Sequence, residues 1–166
     1  MLLSNLFALV SLSTCVLAVG RATITNQCDH PIYLWSVGSH ISNRTILPRD
    51  STYGEIFHSD PMSGGIALKI TPNANGLTTP NASQLIFAYN IDESFVWYDL
   101  SAVFGDGFTG STLQIQSSDE QCDSITWHDG RTPAGSQHLA VKTHRKIREL
   151  AVRIVSAVII VLRPSL

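Results

Sequence analysis

Charge is scarce in this chain, and what is missing narrows the options before any motif is read. Only 14% of the 166 residues are Asp, Glu, Lys or Arg, against about 25% in an average soluble protein. The first twenty residues, MLLSNLFALVSLSTCVLAVG, carry no charged side chain. No repeat recurs at a fixed period and no long stretch of the body has helical spacing, which excludes solenoids and helix bundles. Six histidines (His30, His40, His58, His128, His138, His144) show neither HxH nor HExxH spacing, so no zinc site is expected. The chain also lacks a GxSxG elbow and a GxxxxGK[ST] phosphate-binding loop. A nucleophile-elbow hydrolase and a P-loop nucleotide-binding protein are thereby set aside, and no cofactor is expected.

Cysteine is scarce too, with three in all. Cys15 lies in the uncharged leader, whose apolar run closes on the small residues Ala18-Val19-Gly20. That pattern predicts a signal peptide over 1–20, cleaved after Ala18 or Gly20. The run is too short and too punctuated by Ser, Thr and Asn for a membrane span. The expected product is secreted, extracellular or wall-associated, and keeps only Cys28 and Cys122. In an oxidising compartment these two can pair, and the bridge would contribute about 4–5 kcal/mol on the chain-entropy account. Asn43-Arg44-Thr45 and Asn81-Ala82-Ser83 are N-glycosylation acceptors in polar stretches expected to be exposed loops.

The charges that are present are unevenly placed. From Arg21 to Val141 there are 5 basic and 12 acidic residues; from Lys142 to Leu166 there are 6 basic and one acidic. An acidic body repels phosphates, so nucleic acid is excluded as a partner. A monomer is expected.

Short apolar runs alternate with turn residues along the body, the pattern of an all-β antiparallel sandwich. The expected strands are Ala22–Asn26, Ile32–Val37, Tyr53–Phe57, Ile66–Thr71, Gln84–Asn90, Phe95–Leu100, Thr112–Gln116 and Ser124–Trp127. Turns rich in Pro, Gly, Asp and Asn separate them. The spacing divides the chain into the leader, a body over 21–137 and a tail over 138–166. In the tail, KTHRKIRE (Lys142–Glu149) suits a basic helix. The following LAVRIVSAVIIVL, with Arg153 inside, suits a final strand or helix packed on the body.

Four segments together resemble the thaumatin-like proteins, in particular a short secreted fungal branch known from a yeast-phase-specific antigen. They are CDHPIYLWSVGS, SGGIALKIT, QLIFAYNIDESFVWYDLSAVFGDGFTG and CDSITWHDGRTPAGS, spanning Ala22 to Ser136. The resemblance implies a compact β-sandwich, secretion, disulfides, and binding or weak hydrolysis of β-1,3-glucan. Larger members line an acidic cleft with an Arg, a Glu and Asps, two of these in a motif like YDVSLVDGFN. Here YDLSAVFGDGF aligns Asp99 with the first and Asp106 with the second, with two extra residues between them. Lys69 falls where the family has its Arg. The Glu has no counterpart, its approximate position being held by Ile86 or Phe87. The tail also departs from the family, because no cysteine follows Cys122. One hypothesis is that 138–166 come from a shifted frame or retained intron, which the genomic sequence around codons 137–143 decides.

Asp99 and Asp106 are the candidate acids, with Asp92, Glu93 or Glu55 as substitutes. Glycoside cleavage needs two carboxyl groups at a fixed separation, one protonated and one ionised. The competing reading makes Asp99 and Asp106 turn-shaping residues. Trp97, Tyr98 and Trp127 are candidates for stacking on sugar rings, and core packing is the competing reading for Trp97. In a strand, Phe95, Trp97 and Asp99 share one face and Val96, Tyr98 and Leu100 the other. Lys69, Trp97, Tyr98, Asp99 and Asp106 are thus the expected ligand-binding set. The function expected is a non-enzymatic wall protein that binds β-glucan. Alternatives are a weak endo-β-1,3-glucanase and a surface antigen with no carbohydrate ligand.

Overall fold

A computed structural model describes residues 20–92, 95–118, 122–134, 138–142 and 149–156. Eleven strands follow in chain order: β1 (Arg21–Gln27), β2 (Ile32–Val37), β3 (Thr45–Leu47), β4 (Ser51–Ile56), β5 (Ile66–Thr71), β6 (Gln84–Ile91), β7 (Phe95–Val103), β8 (Ser111–Ser117), β9 (Ile125–Trp127), β10 (His138–Lys142) and β11 (Glu149–Ser156). They form a five-stranded sheet ordered β4-β1-β11-β8-β9 and a six-stranded sheet ordered β10-β7-β6-β5-β2-β3. The all-β sandwich expected from the sequence is therefore the fold. One pairing departs from the antiparallel rule: β1 and β11 run parallel. A parallel pair needs a long crossover, and here everything from β2 to β10 lies between the two strands in sequence.

Alternation explains which faces meet. In β6 the inward set is Leu85, Phe87 and Tyr89, and in β7 it is Val96, Tyr98 and Leu100, all buried. These pack with Ile24, Ile32, Leu34, Leu68, Ile70, Leu113, Ile115, Trp127 and Ile154 into one core. Removing such apolar area from water is the main favourable term for a sandwich. The β1–β2 corner is set by Asn26, fully buried. Its Nδ2 donates to the carbonyls of His30 and Leu47, and its Oδ1 accepts the Cys28 amide, each at 2.9 Å. A buried amide satisfied this way holds the corner at little cost.

The expected body–tail boundary after 137 does not coincide with an edge of the sandwich. β10 extends the six-stranded sheet beside β7, and β11 fills the middle of the other sheet between β1 and β8. Without β11, two ladder edges would face each other unpaired in the sheet centre. The basic helix expected over Lys142–Glu149 is not seen at its ends: Lys142 closes β10 and Glu149 opens β11, while 143–148 lie outside the described residues. So do 1–19 of the expected leader, Glu93, and 157–166 of the tail.

The expected bridge between Cys28 and Cys122 is also corrected, since both are thiols. Cys28 is fully buried, and its Sγ faces the Ile154 carbonyl at 3.9 Å. Cys122 packs half-buried against the core and lies close enough to Tyr98 to act on that phenol. Asn43 and Asn81 are both in exposed loops, Asn81 with φ 57°.

Candidate functional site

The outer face of the six-stranded sheet carries a groove of about 480 Å³, within the ~300–1,000 Å³ usual for small-molecule sites. Its floor follows from register. Ala67 of β5 pairs with Ala88 of β6, and Ala88 with Asp99 of β7, so three outward residues form a row across the sheet. Gly65 extends the floor toward Asn90. A Cβ at Gly65 would come 2.8 Å from the Tyr89 carbonyl, so only glycine keeps the chain this close. Small residues below and an aromatic wall above make a shallow trough.

Trp97 is that wall. Its side chain is 44% exposed, yet it is held from two sides. The indole Nε1–H donates to Asp92 Oδ2 at 2.8 Å, and the Phe95 ring lies 5.6 Å away at 43°. Asp92 Oδ1 also accepts the Phe95 amide at 2.7 Å, which closes the β6–β7 connection. A fixed, half-exposed indole beside a carboxylate can stack on a sugar ring and accept its hydroxyl protons.

The expected site residues separate in space. Trp97 and Asp99 line the groove through their outward side chains. Tyr98 borders it through backbone alone: its ring is buried and its hydroxyl donates to the Asp123 carbonyl at 3.0 Å. Burial, with Cys122 and Asp123 beside it, pushes that phenol up to about 12. Trp127, only 2% exposed, belongs to the core as well. Lys69 is on the groove's face but two residues further along β5, paired with Trp35 and Ile86, about 7 Å beyond Ala67 at strand rise.

Asp106 is elsewhere. It follows the turn at Phe104 and Gly105, both at positive φ (59° and 99°), past the end of β7. Val103 lies four steps beyond Asp99 along the strand, about 13 Å. Asp106 Oδ1 accepts from the Thr132 amide at 3.1 Å and its hydroxyl at 2.9 Å, and its carbonyl accepts from Thr109. Of the two readings, turn-shaping describes Asp106.

Sequence reasoning missed a second cluster inside the sandwich mouth. Glu55 of β4 points inward and accepts the Tyr53 hydroxyl at 2.7 Å and the Tyr89 hydroxyl at 2.6 Å. His58 Nδ1 lies 3.2 Å from the Tyr89 hydroxyl and 3.0 Å from the Ile56 carbonyl. Burial first, then the Glu55 carboxylate, holds both phenols far above the ordinary tyrosine range. Nearby, Asp60 accepts the Ser39, Met62 and Ser63 amides, led by Ser39, and these hold its carboxyl well below the usual range. The sequence signal for this cluster is weak, because Tyr89 and Glu55 are 34 residues apart. Among the described residues no group of three or more His, Cys, Asp or Glu is placed to hold a metal ion, and no helix is long and apolar enough to cross a membrane.

Comparison with known proteins agrees with the fold. The family model described as Bys1: Blastomyces yeast-phase-specific protein matches residues 9–150. The chain is 31% identical over 129 residues to the "Antigenic thaumatin-like protein" of Arthroderma benhamiae, covering 77% of this chain and 64% of that protein. It is 26% identical over 114 residues to the "Secreted thaumatin-like protein calA" of Emericella nidulans, covering 67% and 64%. The chain thus matches just under two thirds of the length of each. In structure it is similar to the protein elicitor MoHrip2 from Magnaporthe oryzae, with TM-score 0.63 and 16% identity over 83% of this chain and 98% of that one. At that identity the likeness is one of fold.

Proposed function

Starting from a chain that belongs to the Bys1 (Blastomyces yeast-phase-specific) family of thaumatin-like proteins, we propose that it is secreted and binds β-glucan of the fungal wall without cleaving it. The ligand lies in the groove on the six-stranded sheet, its ring on Trp97 and its hydroxyls at Asp99. The observation that carries this reading is the half-exposed indole, pinned by Asp92 and Phe95 above a floor of Gly65, Ala67 and Ala88. Secretion is supported by the name of the Emericella relative and by the uncharged leader. Asn43 and Asn81, exposed in loops, then take N-linked glycans.

Hydrolysis is argued against by the acids. Retaining and inverting glycosidases place two carboxyl groups about 5–9.5 Å apart. Asp106 lies past the end of the strand and is committed to Thr132, and Asp92 is committed to Trp97 and the Phe95 amide. Among the described residues Asp99 is left without a partner acid in the groove lining.

The test is co-sedimentation with insoluble β-1,3-glucan. Wild type is expected in the pellet, with Trp97→Ala and Asp99→Asn retained in solution. Equal sedimentation of all three proteins, or none by wild type, defeats the proposal. Release of reducing ends from laminarin by wild type but not by Asp99→Asn would replace it with the glucanase reading.

A further inference from the structure

A second cavity, about 410 Å³, opens at the mouth of the sandwich and shares only Gly38 and Ile66 with the Trp97 groove. Its walls are mostly polar, with Tyr53, Glu55, His58, Asp60 and His40 beside three serines. Hydrogen-bond accounting there is one-sided. The Tyr53 and Tyr89 hydroxyls both donate to Glu55. The Ser42 hydroxyl donates to the Asn43 carbonyl, and the Ser39 amide to Asp60. His58 Nδ1 faces the Ile56 carbonyl, which only accepts, so Nδ1 carries a proton and, in the neutral ring, Nε2 is an acceptor. These donors are spent within the protein. The Ser36 hydroxyl is committed to the Tyr53 oxygen. What is left over accepts: the second lone pairs of both Glu55 oxygens and His58 Nε2, with the Asp60 carboxylate also in the lining.

Among the described residues no lysine or arginine lines this cavity. Arg21 lies over Gly54, on the opposite face of β4 from Glu55. The ion pairs found among the described residues, Asp29–His30 and Arg49–Asp50, are elsewhere. A half-buried carboxylate without a counter-charge, in a wall of acceptors and aromatic rings, calls for a ligand that is cationic and only donates. A metal ion is a poor fit here, since among the described residues no three His, Cys, Asp or Glu side chains converge.

We propose that this cavity is a separate binding site for a protonated primary amine on a hydroxylated body, the chemical class of amino sugars. The ammonium donates to Glu55 and to His58 Nε2 with the Tyr53 ring beside it, and the serine-lined wall meets the polar body. The site does not depend on the glucan groove. The two read different chemistry, neutral ring faces at Trp97 and positive charge at Glu55.

Isothermal titration of the secreted protein with a β-1,4-glucosamine tetramer, its N-acetylated counterpart and a β-1,3-glucose tetramer tests this. The glucosamine tetramer is expected to bind at least tenfold more tightly than the N-acetylated one. Glu55→Gln removes at least tenfold of that affinity. Asp50→Asn, the same charge change in an exposed turn, changes it less than twofold. If Glu55→Gln loses its thermal transition, His58→Phe replaces it, with a several-fold loss expected from the missing acceptor. Equal binding of the acetylated and deacetylated tetramers overturns the proposal. So does an equal loss in Glu55→Gln and Asp50→Asn, which marks diffuse attraction to an acidic surface, or no binding at all.

Discussion

Replacing Asp92 by Ala isolates the support of the groove wall without touching the wall. Asp92 accepts two N–H groups, from Trp97 at 2.8 Å and from the Phe95 amide at 2.7 Å. Hydrogen bonds to an ionised acceptor contribute about 1.5–3 kcal/mol when protected. Asp92 is exposed, so roughly 1 kcal/mol apiece, about 2 kcal/mol together, is the estimate for this site. A shift of 2 kcal/mol changes the ratio of held to loose indole by roughly thirtyfold. Trp97 has packing from Phe95 as well, so it is not released altogether, and an approximately tenfold loss of glucan affinity is expected. Fluorescence quenching reads the indole directly. The other tryptophans, Trp35 and Trp127, are 7% and 2% exposed, so acrylamide reports Trp97 almost alone. Quenching of Asp92→Ala should rise toward that of a free indole while the melting temperature changes by a few degrees. Unchanged quenching together with unchanged affinity would refute the idea that Asp92 positions the ring.

Asp106→Ala is expected to destabilise the fold by about 1–3 kcal/mol, because the Thr132 amide and hydroxyl lose their acceptor; urea melts check the loss, and glucan co-sedimentation should not move. Tyr98 has its phenol raised to about 12 from 10, so the folded state holds that proton more tightly than the unfolded chain. Its share of stability is complete below pH 10 and is lost as pH rises from 10 to 12. Denaturant melts across that window should show the decline, and Tyr98→Phe should make it shallower; a steeper decline contradicts the assignment. Alkylation of the secreted protein in denaturant without reductant should modify both Cys28 and Cys122, whereas a mass two hydrogens lighter and no alkylation would restore the bridge.

Much of this architecture was legible because β-structure writes itself with a period of two. β2 and β5 were bounded correctly, and the faces of β7 were assigned as they occur, Trp97 and Asp99 together against Tyr98 and Leu100. Which face is covered was not legible, since both sets are largely apolar; the answer depends on what packs above them, and nothing among the described residues buries Trp97. β3 has three residues, TIL, too few for alternation to show. β11 reads as strand and helix alike, because a central strand is an unbroken apolar run and its neighbours β1 and β8 are distant in sequence. The same distance hid the Glu55–Tyr89 contact. Likeness of motif puts Asp106 with Asp99, and the turn at Phe104–Gly105 carries it away.

Both cavities depend on a single register. In the β6–β7 pair, Tyr89 faces Tyr98 on the inner side, while Asn90 faces Trp97 and Ala88 faces Asp99 on the outer side. Tyr89 is thereby aimed at Glu55 and Trp97 at the groove, by consecutive steps of the same ladder. A slip of β7 by one residue would exchange its faces, putting a tryptophan and a carboxylate into the core and Tyr98 into water. Burial of Phe87 and Leu100 on the inner side opposes that slip, and the Asp92 clip at the end of the hairpin opposes it locally, since Asp92 also accepts the Phe95 amide. Asp92→Ala therefore tests more than one indole. If the register is fixed mainly by the core, the variant loses affinity at Trp97 and keeps the amine site at Glu55. If the clip fixes it, both sites weaken together, and the Tyr89 hydroxyl proton exchanges faster with solvent.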